Sequence, residues 1–180
     1  MDLYFIALIP GKELRERVSA VKERMKADYN ASHALRSPAH ITLQMPFKRD
    51  GRDESAMSAA LKEFARKERF FNIELDGFGC FAPRVIFIKI RDHVAVRSLH
   101  GRLKTMLAEE LGFSDGEIMN DVKPHITVAA RDLTKESFKD AWNELKHEDF
   151  SGSFAVQSLF LLKHNGRHWD ILLECPFDKR

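Results

Sequence analysis

Two tetrapeptides of the same form are the residues best suited to chemistry in this 180-residue chain. His40-Ile41-Thr42-Leu43 and His125-Ile126-Thr127-Val128 both read His, apolar, Thr, apolar. Alternate residues of a β-strand face the same side, so each His shares a face with its Thr while the apolar residues face the core. Two His-x-Thr pairs have a chance of about 1.5% of arising at random, and the apolar positions lower it further.

Two such pairs facing each other suit acid–base catalysis at a phosphate. One imidazole can act as general base on the nucleophile while the other protonates the leaving oxygen. The two Thr hydroxyls can donate to the non-bridging oxygens. His40, Thr42, His125 and Thr127 are therefore the candidate catalytic residues. We expect neither metal nor cofactor, because no Asp, Glu or Cys accompanies either His at ligand spacing. The sequence leaves open which His is the base.

The hydrophobic pattern predicts the elements that must position these motifs. Amphipathic helices are predicted over residues 14–25, 56–67, 94–111 and 134–147. Strands are predicted over residues 3–9, 40–43, 70–75, 85–90, 125–129, 154–163 and 169–174. Gly77 and Gly79 are expected to end the third strand, Pro46 to lie just beyond the second, and Asn165-Gly166 to form a two-residue hairpin turn.

The order of these elements repeats along the chain. The two His-bearing strands start 125 − 40 = 85 residues apart, close to half the chain. We therefore predict an α+β fold of two pseudo-symmetric lobes, each an antiparallel-rich sheet with helices on its outer face, around a central cleft. Residues 1–180 would form a single bilobal domain, with lobes of about 1–80 and 81–180 and strands exchanged between them.

Composition limits the partners and the compartment. With 29 Lys and Arg against 27 Asp and Glu, the net charge is +2, so an anionic partner must meet a local basic patch. Arg36, Lys48, Lys123 and Arg131 lie close to the two motifs and could supply it. The N-terminus lacks the features of a signal peptide and no apolar run is long enough for a membrane span, which favours a cytoplasmic protein with no membrane partner. Two cysteines in such a chain are expected to be free thiols.

Four further residues are candidates for substrate binding, and each has a structural alternative. Arg84 is a candidate phosphate or base contact, or a surface charge. Phe47 and Trp169 are candidates for stacking on a base, or core residues. His164 flanks the Asn165-Gly166 turn and is either part of a flap over the cleft or an exposed hairpin tip.

The paired motifs resemble those of the 2H phosphoesterase superfamily, and within it the bacterial 2′-5′ RNA ligase and cyclic phosphodiesterase group. The resemblance is carried by residues 38–43 with Pro46-Phe47, by residues 77–85, by residues 123–129, and by the terminal hairpin with Gly166 and Trp169. It implies the bilobal fold of that superfamily and hydrolysis of 2′,3′-cyclic phosphates of RNA ends or nucleotides to 2′-phosphates, with 2′-5′ RNA ligation as a further activity. By this resemblance, His125 would activate the water and His40 would protonate the departing 3′ oxygen.

Two other functions remain open from the sequence. The cleft could bind an RNA end or a nucleotide without turnover, although binding alone does not need two titrating imidazoles. Alternatively, the substrate could be a small cyclic nucleotide or an ADP-ribose cyclic phosphate. A monomer without an obligate protein partner is expected, because both motifs of the site lie in one chain.

Overall fold

The computed structural model describes residues 1–178, which form eight β-strands and four α-helices. The strands are β1 (Asp2–Leu8), β2 (Ile41–Arg49), β3 (Phe71–Phe81), β4 (Val85–Ile90), β5 (His125–Ala129), β6 (Ser151–Val156), β7 (Ser158–His164) and β8 (Trp169–Pro176). The helices are α1 (Lys12–Tyr29), α2 (Glu54–Arg66), α3 (Val94–Leu111) and α4 (Lys135–Leu145). A short 3₁₀ helix, His33–Arg36, precedes β2, and another, Gly51–Asp53, follows it.

The strands form two four-stranded antiparallel sheets. The first sheet has the order β2-β1-β7-β8 and the second the order β5-β4-β3-β6. The chain thus leaves the first sheet after β2, builds the second, and returns to the first for β7 and β8. The two motif strands β2 and β5 are each at the edge of a sheet and lie next to each other. This α+β arrangement confirms the predicted fold class; the division into lobes near residue 80 stays a prediction.

The helices cover the sheets and close the core. Helix α2 packs on β7 and β8 of the first sheet and contacts α3, whereas α1 packs on β5 and α4 on β4 of the second sheet. Thr134 caps α4 by accepting a hydrogen bond from the Ser137 N–H at 3.1 Å, and Gly112 ends α3 in the left-handed conformation. Within residues 1–178, none of the helices has the length and apolarity needed to cross a membrane.

Strand β2 continues beyond Pro46, where the sequence suggested that it stops. β2 is an edge strand, where a residue without an N–H is tolerated. The register between β1 and β2 shifts here, since Tyr4 pairs with Phe47 but Ile6 pairs with Gln44. The extra residue forms a bulge that takes up Pro46 opposite the middle of β1.

Strand β3 also runs further than predicted, through Gly77 and Gly79 to Phe81. The register with β4 shifts between Leu75 and Phe78, so the glycines bend the strand rather than end it. A Cβ on Gly79 would lie 2.6 Å from the Phe87 ring of the neighbouring strand. Gly79 therefore makes the space in which Phe87 packs.

The C-terminal pattern differs from the prediction in two ways. Residues 154–163 were expected to form one strand, but Gln157 interrupts them, and β6 and β7 belong to different sheets. The hairpin turn is centred on Gly166 and Arg167, one residue later than expected. The hydrogen bond that closes it runs from the Asn165 N–H to the His168 carbonyl oxygen at 3.0 Å. The Asn165 side chain accepts hydrogen bonds from the N–H groups of Arg167 and His168, which holds the turn.

The apolar residues between the motif His and Thr anchor each motif strand. Ile126 is fully buried. We expect Ile126→Ala to lower the free energy of unfolding by about 2–5 kcal/mol, because it removes buried methyl groups and leaves a cavity, whereas Ile126→Val should cost only about 0.5–1.5 kcal/mol. Urea unfolding of the two variants measures the difference. Equal, small losses would show that the strand is not held by this side chain.

Candidate active site

All four motif side chains line one cavity of about 460 Å³ between the two sheets. His40 lies one residue before β2, and His125 is the first residue of β5. His40, Thr42, His125 and Thr127 are all half-buried, whereas Ile41, Leu43, Ile126 and Val128 are fully buried. This alternation confirms the predicted facing of the two motifs.

Both imidazoles are held in the same way. Nδ1 of His40 lies 2.7 Å from the Pro38 carbonyl oxygen, and Nδ1 of His125 lies 2.5 Å from the Lys123 carbonyl oxygen. A carbonyl can only accept, so each Nδ1 carries the proton and donates it. Nε2 of each neutral ring then carries a lone pair. Within residues 1–178, Nε2 of neither His40 nor His125 has a hydrogen-bond partner, so both can exchange protons with a molecule in the cavity.

Aromatic rings support both imidazoles. Phe5 on β1 packs on His40 with ring centroids 4.9 Å apart, and Phe87 on β4 packs on His125 at 5.0 Å. Phe81 adds an edge-on contact with His125 at 5.2 Å. Together with the carbonyl hydrogen bonds, these contacts fix the plane and the position of each imidazole ring.

The surroundings of both His residues favour the neutral imidazole. Burial lowers the pKa of His40 to about 4, and the positive charge of Lys22 acts in the same direction. Burial also lowers the pKa of His125, and in both cases the hydrogen bond to the carbonyl partly opposes the shift. The unliganded site therefore holds two neutral bases near pH 7. An anionic phosphate between them would favour protonation of one.

Lys22 of helix α1 is an unusual feature beside the cavity. Its side chain is almost fully buried, and its ammonium group donates to the carbonyls of Ala34 and Ser37 at 2.9 and 3.0 Å. Burial lowers the pKa of Lys22 to about 8. The loop that it holds leads to Pro38, whose carbonyl positions His40, so Lys22 is a positioning residue at this end of the cavity.

The lining of the cavity is also basic. Arg36, Lys123 and Arg131 line it, together with one carboxylate, Asp121. Lys48, the fourth basic residue suggested by the sequence, does not line it. Within residues 1–178, no group of three or more His, Cys, Asp or Glu side chains is placed to hold a metal ion.

Of the four additional substrate-binding candidates, the structure places one in the cavity. Trp169 lines it and packs edge-on against Phe5 at 4.6 Å. His164 packs against Trp169 with ring centroids 4.9 Å apart but does not line the cavity. Arg84 is exposed in the turn between β3 and β4 and also lies outside the lining.

Phe47 lies in the core rather than at the cleft rim. It is buried and packs against Phe113 at 4.8 Å and Tyr4 at 6.0 Å. Strand alternation explains this: Leu43 and Phe47 pack inward, while the bulge at Met45 and Pro46 turns those two side chains to the cavity.

Sequence reasoning missed several lining residues, above all Phe5, Phe81, Met45 and Met119. Phe5 lies in an almost continuous apolar run, in which no alternation separates a cavity-facing residue from a core residue. Phe81 follows the glycines that were expected to end its strand. The unusual exposure of two of these apolar side chains, 53% for Met45 and 41% for Phe81, would mark them as lining residues, but it is visible only in the structure.

Two paired imidazoles at the adjoining edges of two antiparallel sheets define the chain as a 2H phosphoesterase by class. The family model described as the 2′-5′ RNA ligase superfamily matches residues 10–168. The chain therefore belongs to the 2′-5′ RNA ligase superfamily, an enzyme superfamily of phosphoesterases and ligases.

Two curated relatives support this membership. The "Putative phosphoesterase OB1230" of Oceanobacillus iheyensis is 29% identical over 150 residues, covering 82% of this chain and 81% of that protein. The "Putative phosphoesterase SSP1770" of Staphylococcus saprophyticus is 25% identical over 171 residues, covering 93% and 94%.

Solved structures share the fold. TT0787 of Thermus thermophilus superposes with a TM-score of 0.72 at 22% identity, covering all of both chains. LigT of E. coli without ligand gives 0.68 at 19% identity, covering 99% of this chain and 98% of LigT. At these identities the likeness concerns the fold alone.

Proposed function

We propose that this protein is a metal-independent phosphoesterase that opens 2′,3′-cyclic phosphates of RNA ends or nucleotides to 2′-phosphates, and that it also forms 2′-5′ RNA linkages. The observation that carries the proposal is the matched geometry of His40 and His125. Both line one basic cavity, and both have Nδ1 bonded to a backbone carbonyl and Nε2 without a protein partner within residues 1–178.

In the hydrolysis, water attacks the phosphorus and the bond from phosphorus to the 3′ oxygen breaks. Nε2 of one imidazole takes a proton from the water, and Nε2 of the other gives a proton to the departing oxygen. The hydroxyls of Thr42 and Thr127, two residues from each His on the same strand face, can donate to the non-bridging oxygens as their charge develops. Arg36, Lys123 and Arg131 stabilise the bound anion.

The proton inventory of the site follows from the pKa shifts. Both imidazoles are neutral near pH 7 in the unliganded protein, yet the reaction needs one neutral and one protonated ring. Binding of the anionic substrate must therefore be accompanied by uptake of about one proton. A phosphate between the two rings supplies the opposite charge that makes this uptake favourable.

Solved complexes with related folds are consistent with a nucleotide ligand. Crystal structures of E. coli LigT contain 3′-AMP, ATP, NADP⁺ or phosphate. Their TM-scores to this chain lie between 0.59 and 0.65. These ligands share a phosphate on a nucleoside or the phosphate itself, which is the chemistry that we propose for this cavity. The protein would act as a monomer, since both motifs come from one chain.

Phosphorus NMR with nucleoside 2′,3′-cyclic phosphates and an RNA ending in a 2′,3′-cyclic phosphate, all in EDTA, tests the proposal. We expect conversion to 2′-phosphates that EDTA does not slow. Thr42→Val and Thr127→Val keep the side-chain shape but remove a hydroxyl, and each should lower kcat by about 10²-fold, as for other donors to a developing oxyanion.

The outcomes separate the alternatives. Loss of activity in EDTA, restored by a divalent metal ion, would contradict the metal-independent mechanism. Saturable binding of the cyclic phosphate without product would favour a non-catalytic nucleotide-binding module. Turnover of nucleotides but not of the RNA end would assign the enzyme to small cyclic phosphates.

A further inference from the structure

Each motif imidazole is oriented by a loop, because the carbonyl that accepts its Nδ1 proton lies in the segment before its own strand. Lys123 belongs to the loop of residues 112–124 before β5, and Pro38 belongs to the loop of residues 30–39 before β2. Apart from one 3₁₀ helix, both loops are irregular, so their backbone groups need partners from elsewhere in the chain. A contact that fixes one of these loops therefore also fixes an imidazole.

The first motif strand holds the loop before β5. Gln44 of β2, which is only 1% exposed, donates from its amide nitrogen to the Glu117 carbonyl at 2.9 Å and accepts from the Met119 N–H at 3.1 Å. Arg49, further along β2, donates to the Glu117 carboxylate at 2.7 Å. The residues held in this way lie just before Lys123, whose carbonyl is the acceptor for the second motif.

The loop before β2 is held in turn from the end of the second motif strand. Asp132, which follows β5, accepts hydrogen bonds from the N–H groups of Ser32 and His33, both at 2.8 Å. These N–H groups lie at the start of the 3₁₀ helix His33–Arg36, so the Asp132 carboxylate caps that helix from a distant part of the chain. Lys22 holds the same loop from α1 through two carbonyls.

We propose that Gln44 and Asp132 are reciprocal positioning residues, each of which holds the loop that orients the His of the other motif. Gln44 acts on His125, and Asp132 acts on His40. Neither residue lines the cavity, so both act through the loops. The inference rests on the proposed function for its catalytic meaning, because proton transfer at a single phosphate needs both Nε2 atoms in place at once.

Nitrogen NMR of the imidazoles in the unliganded protein at pH 7 reads the two rings separately. Spectra of His40→Ala and His125→Ala assign them. In the wild type, both rings should carry the proton on Nδ1, because each Nδ1 faces a carbonyl. Gln44→Ala should produce a mixture of the Nδ1–H and Nε2–H tautomers at His125 and leave His40 unchanged. Asp132→Ala should do the reverse, to a smaller extent because Lys22 still holds that loop.

A second variant tests the loop before β5 without disturbing the core. Gln44→Ala lowers stability, because it leaves two backbone groups of the loop without their partner. Glu117 is exposed, and Glu117→Ala removes the contact with Arg49 while leaving Gln44 in place. This variant should change the tautomers of the same ring, His125, and again leave His40 unchanged.

Three further variants are controls for side-chain chemistry and for general loosening. Asp132→Asn keeps an oxygen that accepts both N–H groups and should restore the wild-type tautomer of His40. Gln157→Ala and Asp140→Ala replace exposed residues outside both loops and outside the lining of this cavity. They should change neither ring.

The kinetic effect of Gln44 should depend on the imidazole that it positions. Gln44→Ala should lower kcat for opening of cyclic phosphates by up to about 10²-fold, as expected for a misplacement of about 1 Å in a reacting group. In a protein that already carries His125→Ala, the same substitution should cause no further loss, because the ring that it positions is absent. A merely structural role of Gln44 predicts the same loss in both backgrounds.

Two results would overturn the inference. Either Gln44→Ala and Glu117→Ala both leave His125 in its wild-type tautomer, or the substitutions in the two loops change both rings alike. The tautomers are measured without substrate, so the test is separate from the phosphorus NMR assay. Turnover of cyclic phosphates without the crossed effect removes the positioning roles alone, whereas the crossed effect without turnover keeps these roles and removes the proposed function.

Discussion

His40→Ala and His125→Ala are each expected to lower kcat for 2′,3′-cyclic phosphate hydrolysis by about 10²–10⁴-fold, the range typical of a lost general acid or base. Nε2 of each ring is free of protein partners within residues 1–178, and each ring lines the cavity. Loss of either imidazole leaves one half of the proton transfer without a group to perform it. Initial rates by phosphorus NMR measure the effect.

Controls separate chemistry from folding. His147→Ala replaces an exposed His beyond the end of α4 and should retain wild-type kcat. Circular dichroism and urea unfolding should show that both active-site variants remain folded, because both His side chains are only half-buried and line the cavity. The double variant should be little slower than the slower single variant, since the two rings act in one step. Full activity in either single variant would contradict the assignment of that His.

The sequence predicted the centre of this site because the motif follows strand geometry closely. Period-two alternation places His and Thr on one face of the strand and the apolar residues on the other. Burial of the apolar face in the core therefore decides that His and Thr face the cavity. The repeat at half-chain spacing then predicts two equivalent strands. That these two strands are edge strands lying next to each other is seen only in the structure.

Residues that depend on contacts between neighbouring strands could not be predicted in the same way. Phe5 lies in a run in which all neighbours are apolar, and only the bulge opposite it reveals which side faces the cavity. Gly79 looked like a strand end, but its missing side chain is needed for the Phe87 ring that supports His125. Both errors arise because propensity describes one strand, whereas the partner strand decides what fits.

Lys22 illustrates a further limit of sequence patterns. It lies four residues after Val18 on the buried stripe of α1, where a charged residue is normally assigned to solvent. Its burial depends on two carbonyls of the loop before β2, a segment with no regular pattern. The sequence therefore identifies the imidazole of His40 but not the cation that influences its pKa.

The stability of the protein should fall in mild acid, and His40 should account for much of the loss. Its pKa is about 4 in the folded protein but about 6.5 in the unfolded chain. Between these values the unfolded chain binds a proton that the folded protein does not, so unfolding becomes more favourable as the pH falls from 6.5 to 4. A shift of this size corresponds to about 3 kcal/mol over that interval.

His40→Asn isolates this contribution, because the Asn amide can still donate to the Pro38 carbonyl but does not titrate in this range. Urea unfolding at pH 7, 6, 5 and 4 should show that the difference in unfolding free energy between wild type and variant changes by about 3 kcal/mol in favour of the variant as the pH falls. For Ile126→Val, which has no titrating group, the difference should stay constant. A pH-independent difference for His40→Asn would mean that the folded protein accepts a proton on His40 as readily as the unfolded chain. His40 would then already be protonated in about a quarter of the molecules at pH 7, and binding of the phosphate anion would take up correspondingly less than one proton.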